Sequence, residues 1–291
     1  MAEWKDRRHL AIHALFRRLP TGVVSAIGAG VGHVAGRGKG PTRRRRASET
    51  ITRFGAPIDP AVAGGIWCRN LGRTLAEVAT LDRLWPEGRI AVQGAEHLET
   101  GAHPLLVVGV HTGNWEVLAP ALAGLGRSPC GIYAPPANAV EHALIAAARR
   151  SYGARLIPPS PMAARDVLRT MQAGRETVLI YIDEWKNDRV HAPAFGRPLQ
   201  AVGNIALVAR LAARTGALVV PAIPERLSGA RFRVRFLPPL RIAPEEPLLA
   251  AIARIDAVIE PEIRRLLPQW LMAYVWPLQD RARQPAAAPG R

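Results

Sequence analysis

His111 and Glu116 stand five residues apart in Gly109-Val110-His111-Thr112-Gly113-Asn114-Trp115-Glu116. A histidine oriented by a carboxylate is the simplest proton-accepting device a protein can build. The spacing alone has little weight: among 291 residues with eight histidines and 23 acids, about 0.6 such pairs arise by chance. Context supplies the rest. Leu105-Leu106-Val107-Val108-Gly109-Val110 is a continuous apolar run, the pattern of a strand buried on both faces. His111 therefore falls at a strand's C-terminal end, where open α/β sheets bind ligands. On one continuous helix, residues five apart diverge by about 140° and cannot touch. Gly113 and Asn114 are turn formers, so the segment predicts strand, turn and helix start. Glu116 is then expected in the first helical turn, reaching back to fix the tautomer of His111, with Asn114 capping the helix or binding substrate.

No enzyme nucleophile accompanies this pair. The chain has no GxSxG motif, and Cys68 and Cys130 are far apart in apolar surroundings, as expected of buried free thiols in a reducing compartment. No zinc spacing occurs, and neither metal nor cofactor is required. The simplest chemistry is direct transfer: His111 deprotonates a substrate hydroxyl, the alkoxide attacks an acyl thioester, and backbone amides or a cation hold the oxyanion.

Several elements must position these groups. Residues 61–82 carry apolar side chains at helical spacing. Short β-like segments lie at 89–93, 105–110, 131–134, 177–182, 217–223 and 232–237, with helical stretches at 116–126, 138–152, 163–173 and 202–214. This alternation predicts an α/β domain with a central mixed sheet flanked by helices. Residues 245–276 return to helix, with interruptions expected at Pro261 and Pro268, and the Ala-, Pro- and Arg-rich tail 279–291 is expected to be disordered.

The N-terminal segment reads differently. Leu10, Ile12, Leu15, Phe16 and Leu19 form a partly amphipathic stretch ended by Pro20. Thr21–Gly36 then contains no charged residue and precedes Arg37, Lys39 and the block Arg43–Arg46. The uncharged run is shorter than the roughly 20 residues that cross a bilayer, so a membrane-interface helix and a basic segment, with arginines at headgroup level, are expected within residues 1–46, ahead of a catalytic domain at 47–278. Gly28, Gly32 and Gly36, four apart, give that helix one smooth face for close packing. Lys and Arg exceed Asp and Glu by 39 to 23, a formal charge of +16, which favours an anionic partner. A nucleic-acid binder would interleave aromatics with the basic stretch, but only Phe16 and Phe54 lie between Trp4 and Trp67. That class is set aside.

The His111–Glu116 segment resembles the HxxxxD/E motif of the glycerolipid acyltransferase superfamily, and its HTGNWE form is similar to that of the lipid A biosynthesis acyltransferases. Asn70–Glu77, Leu179–Asp183, Pro193–Pro198, Ala212–Pro221 and Pro268-Gln269-Trp270 resemble further segments of that family in the same order. The resemblance implies an acyl carrier protein or acyl-CoA donor and an anionic glycolipid acceptor at the cytoplasmic face of the bacterial inner membrane, with no nucleic acid. It implies His111 and Glu116 as catalytic residues and Asn114, Arg149, Arg150, Asp183 and Arg226 as substrate-binding ones. Two positions depart from the pattern: Ala134 replaces a basic residue, and Glu184 follows Asp183 where glutamine is usual. An acceptor such as a phosphatidylinositol mannoside, an amino-acid lipid or a lysophospholipid is the alternative.

Overall fold

The computed structural model describes residues 2–277 apart from positions 39, 56, 100, 102, 103, 134, 137 and 159. Ala134 and the tail 279–291 lie outside the described residues. The chain opens with helices α1 (Ala2–Arg18), α2 (Thr21–Arg37), α3 (Pro41–Phe54), α4 (Pro60–Glu77) and the short α5 (Leu81–Leu84). Then follow β1 (Ile90–Gln93), β2 (Leu105–Gly109), α6 (Leu118–Gly124), β3 (Pro129–Ile132), α7 (Ala139–Arg150), β4 (Arg155–Ile157), α8 (Ala163–Ala173) and β5 (Thr177–Tyr181). The chain continues through β6 (Trp185–Lys186), β7 (Arg189–Val190), α9 (Gly203–Thr215), β8 (Leu218–Ser228), β9 (Arg231–Phe236), β10 (Leu240–Arg241) and α10 (Leu248–Arg265).

The main sheet runs β1-β9-β8-β2-β5-β3-β4, with β10 pairing β8. It is mixed: β8 pairs β9 and β10 antiparallel, whereas β2 is parallel to both of its neighbours, β8 and β5. All five residues of β2 are buried, as the uninterrupted apolar run requires. Its side chains alternate between two cores: Leu106 and Val108 join the α9 and α10 side, and Leu105 and Val107 join the α6 side.

Several expectations change in detail. Pro261 does not interrupt its helix but lies inside α10. Losing one backbone hydrogen bond there is outweighed by the apolar face of Ile252, Ile255, Ile259 and Ile263, all fully buried. Strand β4 is too short for its alternation to stand out in sequence. The Glu184–Asp188 loop contains the β6–β7 hairpin, with Asn187 and Asp188 at φ 50° and 54°, the left-handed conformation that Asn and Asp tolerate in two-residue turns.

The N-terminal segment is three helices rather than one, and the expected boundary between residues 46 and 47 falls inside α3. Helix α2 lays its glycine face on α4. An added Cβ at Gly28, Gly32 or Gly36 would collide with Gly72 or Cys68 atoms, so only glycine permits this backbone approach. Arg17 pairs with Asp82 (2.9 Å), Arg83 donates to the Leu19 carbonyl (3.1 Å) and Arg73 donates to Ser25 (2.9 Å). No helix among the described residues is long and apolar enough to cross a membrane.

Candidate active site

The parallel register of β2 and β5 aligns Gly109 with Tyr181. Two residues beyond each, His111 and Asp183 meet. The imidazole Nδ1 lies 2.7 Å from Asp183 Oδ1, and the His111 backbone N–H donates to Oδ2 at 2.8 Å. The indole of Trp270 donates to the same Oδ2 at 2.8 Å. Asp183 is fully buried while the His111 side chain retains 19% exposure. With Nδ1 held as a donor to the carboxylate, Nε2 is left as the basic nitrogen.

Glu116 does not reach His111; this corrects the sequence expectation. Asn114 Oδ1 accepts from the Glu116 N–H (3.1 Å), starting a single 3-10 turn over Trp115–Val117. That turn aims the carboxylate at α7, where Arg149 takes both its oxygens at 2.9 and 2.6 Å. Burial opposes the Arg149 charge, but Glu116 more than offsets it and holds the guanidinium ionised. Arg149 also covers the Tyr133 ring at 4.3 Å.

The remaining expected site residues divide. Arg150 is exposed and lines no part of the cavity beside His111. Asn114 and Arg226 are buried and share one partner that sequence reasoning missed, Glu77 at the end of α4. Asn114 Nδ2 donates to Glu77 at 2.8 Å, and Arg226 donates to both its oxygens at 2.6 and 2.8 Å. These residues hold the turn. Gly113, at φ 58°, sits so close to the Arg226 backbone that a side chain could not enter. Thr74 donates to its carbonyl (3.0 Å), and Thr112 donates to the Pro224 carbonyl (2.7 Å). The Pro268-Gln269-Trp270 segment closes the back: Gln269 bonds the Arg226 backbone in both directions, and the Leu271 N–H donates to the His111 carbonyl (2.8 Å).

His111 opens on a cavity of about 640 Å³. Ile132, Leu156, Leu179 and Ile180 give its lining apolar surface, while Arg149, Tyr181, Glu184 and Lys186 bring polar groups. Cys130 also lines it, and burial pushes that thiol up to about 11, leaving it un-ionised and a poor nucleophile. Tyr181 lies against the imidazole with centroids 4.5 Å apart, and its hydroxyl donates to the Trp115 carbonyl at 2.7 Å.

Glu184 has one oxygen on the Asn204 N–H at the start of α9 (2.7 Å), while its other oxygen is buried without a hydrogen-bond partner among the described residues. Burial, the largest cause, pushes its carboxyl up to about 7. A carboxyl raised in the folded state loses stability as pH climbs from its ordinary value to the raised one. Glu184→Gln is therefore expected to be more stable than the parent at about pH 8, on the order of 2 kcal/mol after allowing for partial exposure. The two proteins should be alike near pH 4, below the ordinary carboxyl value. Urea unfolding at both values checks this, and an equal difference at the two pH values would refute it.

Fold and site together define an α/β protein whose His–Asp pair stands at neighbouring strand ends over a part-apolar cavity. Residues 2–274 match the family described as bacterial lipid A biosynthesis acyltransferase, and the chain belongs to that family. It is thus an acyltransferase of lipid A and lipopolysaccharide biosynthesis, and the family implies an acyl donor and a lipid A precursor as acceptor. Among solved structures, the 1-acyl-sn-glycerophosphate (LPA) acyltransferase PlsC from Thermotoga maritima is similar, with 12% identity and a TM-score of 0.38 over 84% of this chain and 95% of that one. No curated protein matches the sequence.

Proposed function

We propose that this protein transfers a fatty acyl chain from an acyl thioester to a hydroxyl of a lipid A-type glycolipid, with His111 as general base and Asp183 as its orienting carboxylate. The observation that carries this reading is the 2.7 Å contact between Asp183 and the Nδ1 of His111, a residue lining the cavity. His111 Nε2 takes the acceptor's hydroxyl proton as its oxygen attacks the thioester carbonyl. The C–S bond then breaks, and the departing thiolate recovers that proton from the imidazolium. Asp183 stabilises the imidazolium while it exists. The apolar wall of the cavity suits the acyl chain. Arg149, fixed by Glu116, is the wall's rigid cation for the polar end of a substrate.

The enzyme works at the cytoplasmic face of the inner membrane in this reading, resting there through its N-terminal helices. The outer side of α2 exposes Val23, Ile27, Val31 and Val34, and α1 exposes Leu10, Ile12 and Leu15. Such contiguous exposed apolar side chains beside arginines fit an interfacial surface. An acidic acyl carrier protein as donor suits the formal charge of +16.

The test is to supply purified protein with a lipid A precursor and acyl–acyl carrier protein, then weigh the lipids by mass spectrometry. One added acyl chain on the glycolipid is expected. An unchanged glycolipid, with a lysophospholipid or other lipid acylated under the same conditions, would overturn the acceptor assignment.

A further inference from the structure

A second cavity, of about 810 Å³, lies where α2 ends and α3 begins. Arg37, Arg44 and Arg45 line it, with Thr42, Ser48 and Thr52 as hydroxyl-bearing neighbours and Glu49 as the one acid among the described residues. The acid neutralises little, since it meets Arg45 only at 3.6 Å and both side chains are exposed. Arg44 uses one N–H on the Ala61 carbonyl (2.8 Å), and Arg37 meets the neighbouring ring of His33. His33 is itself pushed below its ordinary value, first by the charge of Arg37, then by desolvation, and further by Arg69 and Arg44. This cluster is separate from the catalytic cavity: Ala61 at its rim and Thr74 at the His111 turn are thirteen residues apart on α4, about 20 Å along the axis.

The cavity continues the outer face of α2. Val23, Ile27, Val31 and Val34 follow helical spacing, and Arg37 is the next position on that stripe. Val31 and Val34 are 61% and 69% exposed, among the most exposed large apolar side chains of the described residues. An apolar stripe that ends in an arginine-lined cavity matches the order of materials in a lipid leaflet, acyl chains first and phosphates next.

We propose that this cavity binds the phosphate of a membrane lipid headgroup and anchors the N-terminal helices at a fixed depth. Arginine is suited to the task because its planar fork meets two phosphate oxygens at once. The inference rests on the membrane-facing reading of α2 but not on the chemistry at His111.

The test compares the full chain with its Arg37→Ala/Arg45→Ala variant, both positions being exposed, in sedimentation with phosphatidylcholine vesicles with and without phosphatidic acid. An Arg175→Ala/Arg214→Ala variant, changed equally in charge at exposed positions outside the N-terminal helices, is the control. The parent and the control should gain affinity on the order of tenfold or more from phosphatidic acid, and Arg37→Ala/Arg45→Ala should lose most of that gain while binding neutral vesicles as before. Equal losses in the two variants would reduce the effect to net charge and overturn the site. So would a parent that gains nothing from phosphatidic acid. Saturable binding of inorganic phosphate that the variant loses, with vesicle binding unmoved, would overturn the lipid assignment in favour of a free anion. A Val31→Glu variant that binds neutral vesicles as well as the parent does would refute the membrane-facing reading itself, a result distinct from any of these.

Discussion

His111→Ala is expected to lower kcat for acyl transfer by about 10²–10⁴-fold, the range a positioned general base supplies, while the protein stays folded. The imidazole is partly exposed, and its ring contributes contacts with Tyr181 and Trp115 rather than core burial. The backbone turn around it is held from outside the side chain, by Thr74, Pro224, Gln269 and Leu271. Circular dichroism and a cooperative unfolding transition would establish the fold. Transfer at the parental rate by a folded His111→Ala protein would refute the proposed mechanism.

Asp183→Asn should be nearly as severe for activity, about 10²-fold or more in kcat with little change in KM, and also costly for stability. A carboxylate here accepts three N–H groups: the His111 backbone, the His111 ring and the Trp270 indole. An amide offers one oxygen and must turn its NH₂ toward one of these donors, so an N–H loses its acceptor, a loss of about 1–3 kcal/mol, unless the imidazole gives up its Nδ1 proton to accept from the amide. The ring is then free to present the wrong tautomer. Glu116→Gln is the informative contrast. It weakens the Arg149 pair but leaves the carboxylate on Nδ1 untouched, so its effect on kcat should be distinctly smaller. If Glu116→Gln and Asp183→Asn reversed this order, Glu116 would be the orienting acid after all. Parallel kcat, KM and urea-unfolding measurements on the two variants decide between them.

The change of partner for His111 shows what sequence spacing can and cannot deliver. Both candidate carboxylates were visible, Glu116 by its motif and Asp183 as the polar residue ending an apolar strand. A signal for the second existed: two buried strands, 105–110 and 177–182, each run apolar and then end on a polar side chain. Using it required knowing that β2 and β5 are adjacent, parallel and in the register Gly109↔Tyr181. Nothing local encodes strand order. The same holds for Arg226 and Asn114, which meet at Glu77, a helix residue 149 positions away from one of them.

What the sequence determined by itself was set by short-range physics. Continuous apolar runs marked the central strands, helical periodicity marked the flanking layers, and Gly113-Asn114 marked the turn that puts His111 at a strand end. The four-residue glycine repeat marked the helix face that packs on α4. The family resemblance followed from motifs of the same local kind. Tertiary structure alone decided which carboxylate holds the imidazole, which polar residues brace the turn, and where the arginines of the N-terminal helices collect. Those outcomes depend on strand order, register and helix docking, which arise from burial summed over the whole chain and leave no periodic trace in any one segment.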